Sequence, residues 1–249
     1  MPPHKSGAPG NAAGFTATAD DVFGRIAGRY DVLCDIFSFG LHRRWKQRTA
    51  RIIADERWDH MLDAAAGTGH IVIRLLNLAP GIADRRHIIV SDISAPMLAI
   101  AQKRTSPITK QLDYRILDAQ DMPSIASGSI DLYSMSLGLK ICDRTRALRE
   151  AHRVLRPGGR IVTLEASAIT LPWLHRLYLI YMNFCMPLIG RLATGGDASA
   201  YLYLLEGVHK FPNAEELAIE IRALGFENVT FERMSLGIVA IHSAVKPGG

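Results

Sequence analysis

Met61-Leu-Asp-Ala-Ala-Ala-Gly-Thr-Gly-His70 is the stretch that decides the fold of this 249-residue chain. Its apolar first half, ending at Ala65, has the character of a parallel strand buried on both faces. Gly67-Thr68-Gly69 then forms a tight turn opening a helix, and bare backbone at such a turn lets a ligand lie directly against the chain. A second apolar run, His87-Ile-Ile-Val-Ser-Asp92, ends in a carboxylate placed to accept from both hydroxyls of a ribose. The two segments together predict a nucleoside lying across the carboxyl edge of a sheet.

Outward from this pair, strand-like runs alternate with helical patterns, the rhythm of a parallel sheet with crossover helices. Strands are expected near 60–65, 87–92, 113–117, 130–135 and 160–165, and helices near 70–79, 95–104 and 144–155. Pro157-Gly158-Gly159 reads as the stop of the last of these helices. After residue 168 the pattern turns helical and aromatic, with Trp173, Tyr178, Tyr181, Phe184, Tyr201 and Tyr203. Asn213 then caps a helix running to about Leu224, and strands follow near 227–233 and 237–242. Their short link requires antiparallel pairing. The predicted fold is α/β: a doubly wound, seven-stranded, Rossmann-like sheet of five parallel strands plus a terminal antiparallel hairpin, with an N-terminal helical cap and a helical lid insertion. Residues 1–19 read as a disordered tail and 20–246 as one domain, with the cap at 20–50 and the lid at 169–212.

The chain is 48% hydrophobic, enough for one sizeable core. Its 3 cysteines are scattered (Cys34, Cys142, Cys185), which argues for reduced thiols in a cytoplasmic protein and against a disulfide framework or zinc site. No metal is expected, because no cluster has ligand spacing. The apolar stretch from Leu171 to Gly190 is interrupted by His175, Arg176 and proline, so no spanning helix is expected. The net charge of +5 includes a basic run, Arg43, Arg44, Lys46, Arg48 and Arg51. It reads as a solvated helix face or as a contact with anionic membrane surface. Nucleic acid is not expected, since no aromatics interleave with the basic residues.

The nucleoside is narrowed by what is missing. Val72 occupies the place of the third glycine of a dinucleotide fingerprint, and a phosphate loop's Lys and Ser/Thr are absent. Asp118-Ala119 follows the third strand, where a carboxylate accepts from an adenine amino group. Two carboxylates and a glycine turn without phosphate-binding groups suit a nucleoside carrying a cation, such as S-adenosylmethionine (SAM).

Three further stretches resemble the UbiE/COQ5 quinone C-methyltransferases among class I SAM-dependent methyltransferases. They are Tyr30-Asp-Val-Leu-Cys-Asp-Ile-Phe-Ser-Phe-Gly-Leu-His42-Arg-Arg-Trp45-Lys, Arg153-Val-Leu-Arg-Pro-Gly-Gly-Arg-Ile-Val-Thr-Leu-Glu165-Ala-Ser167, and Lys210-Phe-Pro with Gly237-Ile-Val-Ala-Ile-His242. The resemblance spans Val22 to His242. It implies SAM contacts at Thr68, Asp92, Asp118, Ala119 and Ser136, with Asp63 beneath the methionine portion and Tyr30 closing over the cofactor. Ala65, Gly67, Gly69 and Ile93 complete that expected cofactor set, and S-adenosylhomocysteine is the expected product. Two departures stand out. His70 replaces an acidic residue beside the methionine portion, and Lys140-Ile141 replaces an arginine–asparagine pair associated with proton handling.

Methylating a ring carbon requires a phenol to lose its proton to a base within hydrogen-bond reach. The candidates are His42, Asp143, Tyr203 and His209, with Lys140 stabilising a phenolate. Asp143 also has the character of a helix N-cap, and His242 reads as a structural residue on an edge strand. The expected reaction is methyl transfer to a ring carbon of a quinol or related phenolic or polyketide molecule, a lipophilic or aromatic small-molecule partner. A specialised-metabolite methyltransferase and a SAM-binding enzyme catalysing cyclisation or rearrangement without methyl transfer are the alternatives. A pure binding module is disfavoured by so complete a nucleoside site. The basic helix after His42 is expected to face a bilayer, and the oligomeric state is left open, a homodimer included.

Overall fold

The computed structural model describes residues 27–194, 207–208 and 210–248, with the backbone alone for Arg29, Tyr30 and 185–194. Two helices, α1 (Tyr30–Ser38) and α2 (Leu41–Asp55), precede the sheet. The alternating core follows as β1 (His60–Ala64), α3 (His70–Leu78), β2 (His87–Asp92), α4 (Ala95–Thr105), β3 (Leu112–Ile116), β4 (Ile130–Ser136), α5 (Arg144–Val154) and β5 (Leu155–Ala166). The chain ends with α6 (Pro172–Thr194), α7 (Ala214–Ala223), β6 (Glu227–Met234) and β7 (Val239–Val245).

The 7 strands form one sheet in the order β3-β2-β1-β4-β5-β7-β6. β1 to β5 pair in parallel, while β7 is antiparallel to both β5 and β6. The final hairpin thus sits with its second strand inside the sheet. That placement corrects the reading of His242: β7 is an interior strand, and the buried His242 ring lies 2.9 Å from the Ala214 carbonyl oxygen, tying β7 to the start of α7.

Two apolar clusters sandwich the sheet. On one face Ile71, Val72, Leu75 and Leu76 of α3 meet Trp45 and Ile53 of α2 and Leu98 of α4. On the other, Ala147, Leu148 and Ala151 of α5 meet Leu217, Ala218 and Ile221 of α7. Each of the larger aliphatic side chains contributes about 1.5–3 kcal/mol by leaving water. Leu75 is fully buried, so Leu75→Ala is expected to cost roughly 2–5 kcal/mol through lost contacts and a cavity.

Helix ends follow local chemistry. Asn213 and Glu216 form a reciprocal capping box, with both side chain-to-backbone bonds at 2.9 Å. Pro157-Gly158-Gly159, by contrast, does not stop α5. That helix ends at Val154, and the glycines run within β5, where the Gly158 amide donates to the Lys246 carbonyl and Lys246 returns a bond to Gly159, each at 2.8 Å. Proline and glycine serve here as an irregular strand start, with a register shift between Ile130 and Leu132 on the neighbouring strand.

Candidate active site

The carboxyl ends of β1, β2 and β4 converge on the glycine turn. Gly69 caps α3 in a left-handed conformation (φ +80°), and a Cβ there would lie 3.0 Å from Ala101 Cβ, so glycine is what lets the turn sit against α4. Asp92 ends β2 and reaches across the turn, accepting from the Gly67 amide at 2.7 Å and from the Ser94 amide at 2.9 Å. Those two bonds fix the plane of its carboxylate. Asp118, two residues beyond β3, accepts from the Gln120 amide at 2.9 Å.

Three spaces lie along this edge, neighbours sharing lining residues. A cleft of about 70 Å³ is lined by Ala65, Gly67, Asp92, Ile93, Asp118, Ala119 and Ser136, bringing together seven of the eleven cofactor positions expected from sequence. A smaller recess of about 20 Å³ shares Ala65, Gly67 and Ser136 with it and adds Asp63, Thr68, His70 and Lys46. Gly69 shapes the turn without lining either space, and the side chain of Tyr30 lies outside the described residues.

The third space is a partly open apolar cavity of about 220 Å³ lined by α1, α2, α6 and the ends of neighbouring strands, with Phe37, Trp45, Tyr178 and Met182 among its walls. Leu137, which follows β4 with a left-handed φ of +59°, lines both this cavity and the cleft that holds Asp92 and Asp118. His42 and Lys140 are set into the same cavity wall. Lys140 donates from Nζ to the Leu137 carbonyl, and burial pushes its ammonium below the usual lysine range while Glu165 opposes that shift. Glu165, fully buried at the end of β5, holds the loop that carries Lys140 by accepting from the Leu139 amide at 2.8 Å. Burial raises its carboxyl to about 7.

His42 is buried, and burial lowers its imidazole to about 4, keeping the ring neutral at neutral pH. Its hydrogen-bond network assigns the tautomer. The Ser38 hydroxyl donates to the Cys34 carbonyl at 2.6 Å, so its oxygen accepts from His42 Nδ1–H at 2.9 Å. The basic lone pair then resides on Nε2.

Of the other proton-handling candidates, Asp143 caps α5 by accepting from the Arg146 amide at 3.1 Å and lines neither the cleft nor the apolar cavity. Tyr203 and His209 lie outside the described residues. At the other departure, His70 Nε2 stands 2.9 Å from Asp31 Oδ1. Asp31 also accepts from Thr68 Oγ1 at 2.8 Å and pairs with Arg104. Although burial opposes it, contacts with His70, Arg104 and Thr68 hold this carboxyl well below the usual range. An acid from α1 thus stands next to the position where the sequence pattern lacks one.

The basic run on α2 is not a continuous cationic face. Lys46 is buried, Arg43 pairs with Asp35, and Arg48 pairs with Glu232 at 2.8 Å, while Arg44 and Arg51 are exposed and have no ion-pair partner among the described residues. The expectation of a basic helix turned toward a bilayer therefore rests on four surface arginines, two of them paired, and not on Lys46. Lys46 and Asp31 were the site residues missed from sequence. The signal for Lys46 was available, because His42, Lys46, Thr49 and Ile53 recur at helical spacing and all are buried.

A seven-stranded sheet with this order, a glycine turn after β1 and acidic groups at the ends of β2 and beyond β3 defines a class I SAM-dependent methyltransferase. The profile of the ubiE/COQ5 methyltransferase family matches residues 14–246. The ubiquinone/menaquinone biosynthesis C-methyltransferase UbiE of Paracoccus denitrificans (strain Pd 1222) is 40% identical over 229 residues, covering 90% of this chain and 89% of that protein. The protein of the same name from Rickettsia felis (strain ATCC VR-1525 / URRWXCal2) is 36% identical, covering 91% and 92%. Among solved structures, the [4+2]-cyclase SpnF superposes with a TM-score of 0.67 at 18% identity, covering 98% of this chain and 100% of that one, a likeness of fold. The chain belongs to the ubiE/COQ5 methyltransferase family and is a SAM-dependent methyltransferase. Among the described residues no group of His, Cys, Asp or Glu is arranged to hold a metal ion, and no helix is long and apolar enough to cross a membrane.

Proposed function

We propose that this enzyme methylates a ring carbon of a lipophilic quinol or related phenol. The observation that carries the reading is the apolar cavity of about 220 Å³ that shares Leu137 with the cleft holding Asp92 and Asp118 and has His42 and Lys140 in its wall. Asp92 is assigned to the ribose hydroxyls, Asp118 and Ala119 to the adenine edge, and Ala65, Gly67, Gly69, Thr68, Ile93 and Ser136 to the walls around the sugar and the sulfonium chain. When bound, SAM supplies an electrophilic methyl group on a cationic sulfur. The chain's own part is to hold the acceptor ring in line with it, which is where most of the rate gain from positioning arises. His42 takes the phenol proton at Nε2, making the neighbouring ring carbon nucleophilic, a step worth roughly 10²–10⁴-fold. Lys140 offsets the charge that develops on the phenolate oxygen.

The segment from 169 to 212 is assigned to the acceptor as a lid, its α6 side chains Tyr178, Tyr181 and Met182 lining the cavity. Close to the cavity's walls, Phe39 beside α1 and Trp173 and Phe184 on α6 are strongly exposed (76%, 67% and 75%). Phe39 and Tyr181 meet with ring centroids 5.5 Å apart, so the turn after α1 packs against α6. Exposed aromatic clusters of this kind mark interaction surfaces. This face is assigned to the membrane interface from which a lipid-soluble acceptor enters.

Incubation of the purified protein with SAM and a series of reduced quinols and phenols tests the reaction. The expected result is S-adenosylhomocysteine formed in step with a ring product heavier by one methylene. A rearranged product of unchanged mass, with no S-adenosylhomocysteine released, overturns it in favour of SAM-assisted cyclisation.

A further inference from the structure

Lys140 is placed and bonded in ways that stabilising a phenolate does not by itself require. Its Nζ donates to the Leu137 carbonyl, and Leu137 is the residue that lines both the apolar cavity and the cleft holding Asp92 and Asp118. That partner is neutral. Glu165, the acid that acts on Lys140 electrostatically, spends Oε1 on the Leu139 amide at 2.8 Å, and its Oε2 is buried with no hydrogen-bond partner. The two side chains therefore do not bond directly. From the other side, a Cβ at Gly207 would lie 2.7 Å from the Lys140 carbonyl oxygen, so glycine is what lets that segment close on the loop. His42, with its basic lone pair on Nε2, lines the same cavity.

A lysine among apolar walls, bonded to a neutral carbonyl, has little to favour its ammonium over its amine, and burial depresses the ammonium accordingly. An amine so placed is a nucleophile toward carbonyl carbon. The arginine of the family pattern lacks this chemistry, because a guanidinium does not lose its proton. We infer that Lys140 forms an imine-type adduct with a ketone or aldehyde that has apolar flanks and an α-hydrogen, giving the enzyme a second class of acceptor. Nζ adds to the carbonyl carbon while one amine proton passes to the oxygen. The resulting hydroxyl leaves as water, taking the α-proton by way of His42 Nε2, and the electrons of that C–H bond close an enamine. Its α-carbon takes the methyl group that SAM supplies, the carbon–sulfur pair staying on sulfur. Water then adds to the iminium left on Lys140, and the C–N bond breaks to return the amine, the methylated ketone and one proton. This goes beyond the phenol reaction: it shares the SAM reading of the cleft but needs no aromatic ring.

Sodium cyanoborohydride with benzylacetone, an apolar ketone, tests the site on the wild-type protein without SAM. Reductive trapping, read by peptide mass mapping, is expected at Lys140 ahead of the exposed Lys103 and Lys110. The margin is at least roughly tenfold, because each unit by which an ammonium is depressed raises its amine fraction about tenfold. With SAM present and the reductant left out, benzylacetone is expected to give an α-methylated ketone in step with S-adenosylhomocysteine. Lys140→Arg, which keeps the cation but not the amine, is expected to lose this product while binding S-adenosylhomocysteine with wild-type affinity. Equal trapping at the three lysines, no methylated ketone from the wild-type protein, or its undiminished formation by Lys140→Arg overturns the inference. A ketone product without turnover of any quinol or phenol removes the ring-carbon reading and leaves Lys140 in its role. Failure of the wild-type protein to bind S-adenosylhomocysteine overturns the cofactor site beneath both.

Discussion

Ser38 Oγ and His42 Nδ1 stand 2.9 Å apart across the turn between α1 and α2. Because the serine proton is committed to the Cys34 carbonyl, the pair holds the imidazole as its Nδ1–H tautomer. His42→Gln is expected to lower kcat by roughly 10²-fold or more with the S-adenosylhomocysteine dissociation constant unchanged. Ser38→Ala is expected to lower kcat less, through loss of ring orientation. The imidazole is held at about 4 by burial and so stays unprotonated well below its ordinary value of 6.5. The acid limb of the kcat profile is therefore expected near pH 4. A limb near 6.5 in steady-state assays would point to a solvated histidine.

Asp92 joins the turn after β1 to the ligand cleft through the Gly67 and Ser94 amides. Asp92→Ala removes both of those bonds and the proposed ribose contact. We expect S-adenosylhomocysteine affinity to fall about 100-fold. Titration calorimetry checks this, and an unchanged dissociation constant would reject the ribose assignment.

Asp63 gives a pH signature in stability. Burial raises its carboxyl to about 7 from the ordinary 3.8. Between those values the folded state holds the proton while the unfolded state has lost it, so the stabilising linkage is complete at low pH and is lost as pH rises through 7. Urea unfolding of the ligand-free protein is expected to show wild-type stability declining relative to Asp63→Asn from pH 5 to pH 8, by a few kcal/mol. Glu165, also raised to about 7, remains in both proteins and contributes the same sign to each. Equal slopes would remove Asp63 from the account.

The apolar face of α1 and α6 is open to a direct measurement. Phe39→Glu with Trp173→Glu is expected to abolish sedimentation with liposomes containing anionic lipid, whereas Arg44→Glu is expected to reduce it modestly. If all proteins remain in the supernatant, the membrane reading is lost.

The sheet and its edge were legible because each depends on local pattern. The run from His87 to Asp92 reads as a strand from apolar content alone and is β2 to the residue. The turn at Gly67–Gly69 announces itself through residues that tolerate positive φ. What stayed hidden depends on distant partners. Nothing local says that Val239–Val245 inserts between β5 and β6, since either order satisfies a short link. Lys46 hid in a run of basic residues because charge pattern and burial pattern coincide along one helix, and only the burial pattern separates it from Arg44. Lys140 could be named from the sequence as a partner for a phenolate, but its place in the cavity wall depends on the grip of Glu165 on the preceding residue, a contact between residues 26 apart. Pro157-Gly158-Gly159 misled for the opposite reason, a strong local stop signal overruled by pairing with Lys246.

His42 and Lys46 lie one turn apart on α2, one facing the apolar cavity and the other the recess beside the glycine turn. A single inserted residue just ahead of this turn would swing both side chains by about 100° together, taking one out of the cavity wall and the other out of the recess in one event. Drift toward new acceptors is thereby channelled into α6 and the loop after β4, which can be rewritten without disturbing that shared axle.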